Sequence, residues 1–280
     1  MRHFDKKFGP EFLATVPAEP GVYRFFDDAG VVVYVGKAKN LRRRLTQYRM
    51  AGPGRRGKKP RTLVKEATSI EWEVFPTELD ACLAEVRLIQ DLRPRQNIAS
   101  AFAFLYPLIG VQTQRDTLRF CYTTSPDLFP GYTFHGAFRS RDTTGEAFFA
   151  LMRLLRWVGH PEPRRSLGGE DQRDEHSYVF GFRRLPGAHA TAWNAFFRGE
   201  HDVVIADLAC KLLERPSARA KAHEVQTDLR SLRCFFQEEA EMLRRAVTEL
   251  GFAPWPVPQT ERDPLFLRFR AGSRAHIDLA

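Results

Sequence analysis

GVYRFFDDAGVVVYVGKAKNLRRRLTQY, residues 21–48, holds two β-patterned runs, a turn and the start of a basic helix. Gly21 to Phe26 and Val31 to Gly36 are rich in β-branched and aromatic residues. Asp27-Asp28-Ala29-Gly30 between them is turn chemistry, so the pattern predicts a hairpin. Asn40 is placed to cap a helix starting at Leu41, and Leu41, Leu45 and Tyr48 share one face of it.

Working outward, Met50 to Pro60 reads as a basic loop and Arg61 to Ala67 as a short helix. Ile70 to Phe75 alternates like a third strand. Thr77 opens a helix through Arg93, with acids in its first turn and Pro94 after its end. The order β-β-α-α-β-α implies an α+β fold, a small mixed sheet against helices, closing near Asn97. Residues 1–20 read as a lead-in ending in two prolines. Further on, β-like runs occupy Tyr106 to Gln112 and Thr117 to Thr123, and Gly145 to Val158 is helical with Phe148, Leu151, Leu154 and Leu155 as its apolar stripe. Pro161 to Glu175 is a polar loop, and Ser177 to Arg183 has strand character. Ala190 to Leu250 is helical, interrupted near Pro216, with Leu229, Leu232, Phe236, Met242 and Leu243 suiting a helix pair or hairpin. The second region is therefore mixed and mainly helical. The expected divisions are 1–112, a mixed α/β connecting region 113–189, and a helical region 190–280 for DNA or partner contact.

A chain of 280 residues with 43% hydrophobic and 28% charged residues is an ordinary globular sequence, long enough for two domains. No apolar run approaches the roughly 18 residues a membrane span needs, and the first residues lack a signal-peptide core. Cys82, Cys121, Cys210 and Cys234 are far apart, which argues against a zinc knuckle and for reduced, cytoplasmic thiols. The formal net charge is +9, and its distribution says more: Lys37 to Lys65 contains twelve Lys or Arg and no acid. Such a run fits phosphate-backbone contact, or else a solvated basic loop. The DNA-contacting candidates are Lys39, Arg42, Arg43, Arg49, Arg55, Arg56, Lys58, Lys59 and Arg61.

Glu85 is the most informative single residue. If Leu79, Cys82, Val86, Ile89 and Leu92 form the buried face of the Thr77 helix, Glu85 falls inside that face. A carboxylate facing a core costs several kcal/mol unless compensated. Either an arginine pairs with it or it is a metal ligand at a cleft. The same arithmetic puts Arg44 beside Tyr48, while Arg42 and Arg43 project away. Tyr23 and Tyr34 lie in the β-runs, where tyrosines commonly pack as core. Nearby Lys37 and Arg44 would lower a phenol's pKa, and Gly36 would let a backbone or phosphate approach.

Gly21-Val22-Tyr23 and Tyr34-Val35-Gly36 resemble the two tripeptides that name the GIY-YIG nucleases. PGVY, YVGKAKNLRRRL followed by Tyr48, and TELDACLAEVRLIQDLRPRQN together resemble the N-terminal nuclease domain of the UvrC excinucleases and their single-nuclease relative Cho, over about residues 17–112. The resemblance implies that 1–112 is an endonuclease domain with its active site on Tyr23, Tyr34, Lys37, Arg44, Tyr48, Glu85 and Asn97. It further implies one divalent metal, Mg²⁺ with Mn²⁺ as a substitute, held by Glu85 and waters. Water activated by the Tyr34 phenol or the metal would attack the scissile phosphate. Arg44 and Lys37 would offset charge, with Tyr23 and Tyr48 positioning water and phosphate.

Beyond residue 112 the likeness weakens to Phe134-His135-Gly136-Ala137-Phe138 and Trp193 to Gly199. The family's cysteine cluster has no counterpart here, so no iron–sulfur cluster is expected. The remaining histidines show no ligand spacing and are read as structural. The implied function is a metal-dependent DNA endonuclease in nucleotide excision repair or related repair, with DNA and a UvrB-like damage-recognition protein as partners. A catalytically idle DNA-binding adaptor, or a mobile-element or phage-defence nuclease, are the alternatives.

Overall fold

A computed structural model of the chain describes residues 2–52, 58–97, 105–167, 169, 174, 176–185 and 190–277. The chain divides into two compact units, Met1–Phe104 with Phe266–Ala280, and Leu105–Leu265.

The hairpin forms as its residues require. β1 (Gly21–Phe26) and β2 (Val32–Ala38) pair antiparallel, with Tyr23 opposite Gly36 and Phe25 opposite Tyr34. The Asp27 carboxylate ties the turn, accepting the N–H of Ala29 (3.2 Å) and Val31 (2.9 Å), and Gly30 takes φ +73°. The Val31 N–H and the Arg95 guanidinium hold that carboxyl below its usual range. β3 (Ser69–Val74) pairs with the other edge of β1, so the order is β2-β1-β3. The sheet is antiparallel throughout, which corrects the expected mixed sheet. β2 and β3 run the same way, but β1 lies between them, so no parallel pair is hydrogen-bonded.

Two helices carry the chain from β2 to β3: α3 (Leu41–Arg49) and α4 (Lys58–Glu66). Asn40 caps α3, its Oδ1 accepting the Arg43 N–H at 2.8 Å, and Leu41, Leu45 and Tyr48 are buried as predicted. α5 (Glu78–Leu92) starts at the Thr77 cap and ends at Arg93 in the left-handed region, before Pro94. Its core-facing stripe differs from the one expected. Ala81, Ala84, Leu88 and Ile89 meet Val22, Val32, Val35 and Phe75, while Leu92 is 46% exposed. Two alanines let the helix lie close to the sheet and draw that face inward.

The first twenty residues are more than a lead-in. α1 (His3–Phe8) and α2 (Phe12–Thr15) bring Phe4, Phe8 and Phe12 into ring contact, and Phe12 meets Trp72 of β3 at 5.6 Å. Phe4 and Val16 belong to the same buried cluster as Tyr23, Leu45 and Tyr48.

The second unit is built on a five-stranded antiparallel sheet, order β6-β4-β5-β8-β7. These strands are β4 (Leu108–Gln114), β5 (Thr117–Thr123), β6 (Thr133–Gly136), β7 (His160–Pro161) and β8 (Tyr178–Arg183). Helix α6 (Arg141–Val158) starts earlier than expected because Ser140 caps it, its Oγ accepting the Thr143 N–H at 3.1 Å. α7 (Ala190–Phe197), α8 (Val203–Leu213) and α9 (Pro216–Ala220) follow. α10 (Ala222–Phe235) runs through a π turn (Phe236–Ala240) into α11 (Glu241–Glu249), giving a continuous rod where a helix pair was expected. The carboxylate of Glu239, presented by that turn, accepts the N–H groups of Arg139 and Ser140 at 2.6 and 3.0 Å and satisfies the start of α6. His135 is structural, as expected. Trp255 Nε1 donates to its Nδ1 (3.1 Å), so its Nε2–H donates to Asn194 Oδ1 (2.8 Å), and burial holds it neutral with a pKa of about 4. α12 (Gln259–Ile277) closes the described chain in a tail that showed no pattern.

Candidate active site

Two hydrogen bonds join β1 to α3, and a cation–ring contact within α3 stands beside them. The Tyr23 and Tyr48 hydroxyls lie 2.9 Å apart, and Arg44 Nε donates to Tyr23 Oη at 3.0 Å. The Arg44 guanidinium carbon sits 5.6 Å from the Tyr48 ring centre, an arrangement favourable for a cation over a ring face. One phenolic proton bridges the tyrosine pair. The other is left for an acceptor outside it, because Arg44 already donates to Tyr23.

Burial dominates the electrostatics of this pair. It pushes the Tyr23 phenol up to about 12, with Tyr34 adding to the rise and Arg44 opposing it less strongly. Burial raises Tyr48 as well, aided by its tyrosine neighbours. The expectation that nearby cations lower the pKa of a strand phenol therefore fails for Tyr23. Both phenols are neutral donors and orienters at any ordinary pH. Burial works against the Arg44 charge too, but the surrounding phenols outweigh it and keep the guanidinium charged.

Glu85 projects from α5 toward β2. Its Oε1 accepts the backbone N–H of Lys37 at 3.0 Å, and no described residue donates to Oε2. Burial raises its pKa, while the Lys37 N–H and the charges of Lys37 and Arg44 pull it down by less. Burial alone would lower the Lys37 ammonium. The Cys82 thiol beside it and the carboxylates of Glu85 and Glu78 outweigh that and raise it. β2, α3 and α5 thus bring Glu85, Lys37 and Arg44 within electrostatic reach of one another, although Glu85 is 48 residues from Lys37.

Gly36 has a different role from the one its neighbours implied. A Cβ there would lie 2.5 Å from Tyr23 Oη, so the space is filled by the phenol of its cross-strand partner and is not open to phosphate. Gly21 is similar, with Leu41 Cδ1 at 2.5 Å and the Glu73 carbonyl at 2.4 Å from such a Cβ. Tyr34 is half-buried, its ring 6.2 Å from that of Tyr23, with Lys59 Nζ 5.1 Å from its centre. Asn97 stands behind the site. Its side chain accepts the Val35 N–H and donates to the Val35 carbonyl, both at 2.9 Å, pairing with β2 as a strand would.

The basic residues separate into distinct places. Lys37, Lys39, Arg43, Arg44 and Gln47 line a groove of ≈ 600 Å³ with Glu78. Lys58, Arg61 and Lys65 line a second groove of ≈ 740 Å³ with Arg2 and one edge of Tyr48. Arg42 donates to the Val16 carbonyl at 2.7 Å. Arg49 is a correction: it is held in a two-bond ion pair with buried Asp5 (2.6 and 3.0 Å), which occupies the fork it would offer to phosphate. Arg55 and Arg56 lie outside the described residues. Sequence reasoning missed Cys82 as a neighbour of Lys37 and Gln47 as a partner of Arg44. The second was signalled by its i+3 spacing on α3.

The donor set suits a hard divalent cation that keeps most of its water, since one carboxylate oxygen is uncommitted. Among the described residues there is no group of three His, Cys, Asp or Glu that could hold a metal, so Glu85 would act alone.

Residues 19–98 match the family model for the UvrC-like GIY-YIG domain. The UvrABC system protein C of Yersinia enterocolitica is 47% identical over 112 residues, which are 40% of this chain and 18% of that protein. The protein of the same name from Legionella pneumophila (strain Paris) is 34% identical over 145 residues, 52% of this chain and 23% of that one. The match thus spans about a fifth of the length of these curated relatives. The magnesium-bound GIY-YIG N-terminal endonuclease domain of UvrC from Thermotoga maritima is 36% identical, covering 34% of this chain and 94% of that domain, with a TM-score of 0.28. Residues 19–98, with the paired tyrosines, Arg44 and Glu85 set in one small sheet and its helices, are thus a UvrC-like GIY-YIG domain within the chain.

Proposed function

We propose that this chain is a metal-dependent DNA endonuclease that hydrolyses one phosphodiester bond, acting in nucleotide excision repair or a related repair process. The observation that carries the reading is the convergence of one uncommitted carboxylate oxygen, two cations and a phenol pair. Glu85 would hold Mg²⁺, or Mn²⁺ in its place, which would supply Lewis acidity at the phosphoryl group. Arg44 and Lys37 offset the charge that develops on the phosphoryl oxygens as water attacks. The attacking water would be activated by the Tyr34 phenol or by the metal, the phenol accepting a hydrogen bond from the water and passing its own proton on to solvent as the water's proton moves to it. The spare hydroxyl proton of the Tyr23–Tyr48 pair orients the phosphate, and Asn97 positions β2 beneath it. Lys39, Arg43, Lys58, Lys59 and Arg61 contact the DNA backbone. The curated relatives carry the name of a UvrABC system, and a UvrB-like damage-recognition protein is the partner we assign.

The test is nicking of supercoiled plasmid with Mg²⁺ or Mn²⁺ by the wild type beside Glu85→Ala and Tyr34→Phe. Cleavage by the wild type alone is expected. Cleavage that survives Glu85→Ala overturns the site, and a wild type inert with either metal, on plasmid and on lesion-bearing duplex loaded by a UvrB-like protein, overturns the activity.

A further inference from the structure

We infer that Gln47 is a positioning residue for Arg44, and the inference rests on the proposed phosphodiester cleavage. Arg44 leaves α3 on an exposed stretch of helix, where a long side chain ordinarily samples many rotamers. Here it is held from two sides: Nε donates to Tyr23 Oη at 3.0 Å, and Nη1 donates to Gln47 Oε1 at 2.9 Å. Two of its five N–H groups are thereby used, on different nitrogens, and the plane of the guanidinium is fixed. Nη2 and the second N–H of Nη1 have no acceptor among the described residues and are available to a phosphoryl group.

The chemistry of the second anchor matters as much as its place. A carboxylate at position 47 would hold Arg44 at least as firmly but would neutralise the charge the transition state needs. The Gln47 amide is an uncharged acceptor, so Arg44 is oriented and keeps its full charge. Gln47 also faces the groove that Lys37, Lys39 and Arg43 line.

The test uses the full chain and single-turnover cleavage at saturating DNA. Gln47→Ala is expected to cut about tenfold more slowly, the scale of a modest misplacement of a catalytic group, with DNA binding little changed. Gln47→Glu keeps an acceptor but neutralises the Arg44 charge, so it is expected to hold Arg44 in place while still cutting more slowly than the wild type and binding DNA more weakly. In an Arg44→Ala background, Gln47→Ala should cost nothing further. An unchanged rate for Gln47→Ala, or an undiminished loss in the Arg44→Ala background, overturns the role. The Arg44 side-chain Nε–H resonance provides a readout independent of cleavage. It is expected to be sharp and slowly exchanging in the wild type and broadened in Gln47→Ala, and identical behaviour in both overturns the inference even if the chain cleaves nothing. A wild type that fails to cleave while the resonance responds instead overturns the nuclease reading alone.

Discussion

Gly36→Ala is the substitution for which backbone propensity and packing predict opposite outcomes. Alanine is the better strand residue, and relief of glycine's extra chain entropy is worth about 0.5–1 kcal/mol. At this position the added Cβ lies 2.5 Å from Tyr23 Oη, 2.6 Å from its Cζ and 2.9 Å from Tyr34 Cε1. Tyr23 cannot yield easily. It is fully buried, with the rings of Phe25, Tyr34 and Tyr48 at 5.9, 6.2 and 5.8 Å. Overpacking of this kind costs about 1–3 kcal/mol, and each of the two hydrogen bonds on Tyr23 Oη adds about 1 kcal/mol if lost. A net loss of about 3 kcal/mol lowers the melting temperature of a unit of roughly a hundred residues by about 10–20 °C. Differential scanning calorimetry measures the shift, and plasmid nicking should fall with it because Arg44 loses its first anchor. Adding Tyr23→Phe removes the nearest atom but leaves the ring carbon in place, so the double variant should regain part of the stability and none of the activity. A Gly36→Ala protein that melts at or above the wild type would refute the packing argument.

Two further predictions concern charge. Glu85 has its folded pKa raised above the unfolded value, so its ionised form is disfavoured by folding, and the destabilisation is absent at low pH and grows as pH rises through the raised value. Glu85→Gln should therefore melt higher than the wild type in chelator near pH 7 and alike at pH 3, while losing both nicking and any Mg²⁺-induced rise in melting temperature. A wild type stabilised by Glu85 at pH 7 in chelator contradicts the sign. Charge removal should also sort the basic residues: Lys58→Ala and Arg61→Ala should each flatten the slope of log binding constant against log salt by about 0.7–0.9. Arg49→Ala should leave that slope alone and instead lower the melting temperature, because it strands the Asp5 carboxylate, as titration of slope and scanning calorimetry will show.

Much of the first unit was legible because its signals are local. The Asp27–Gly30 turn, the Asn40 and Thr77 caps and the Leu41–Leu45–Tyr48 stripe depend on neighbours in the chain, and each formed as read. Glu85 was singled out from a stripe that was rotated by roughly 100°, one residue's step on a helix. The identification survived because Glu85 borders both the expected stripe and the observed one. What distinguishes the two stripes is the size of Ala81 and Ala84, which matters only when a sheet lies against them. The same limit explains α1 and α2: Phe4 and Phe12 look like isolated apolar residues until Trp72 and the β1 core are placed beside them. In the second unit, the π turn at Phe236–Ala240 has no sequence rule of its own. It is stabilised by what Glu239 meets a hundred residues earlier at Arg139 and Ser140.

The site itself was half legible, for a reason that goes beyond residue identity. Sequence places Lys37 and Arg44 near the tyrosines and so points to acidified phenols. Burial is the larger effect, and it makes Tyr23 and Tyr48 weaker acids while leaving their hydroxyls as fixed dipoles. The same burial raises Glu85, although cations surround it. Burial thus strains the Glu85 carboxylate, while the cations beside it meet phenols, a thiol and a neutral amide. A divalent cation at Glu85 would relieve that strain, so its binding energy and the stability of the unit are coupled. The coupling follows from placing one acid on the sheet-facing side of α5, and it makes Glu85 the residue at which gaining stability and keeping activity conflict most directly.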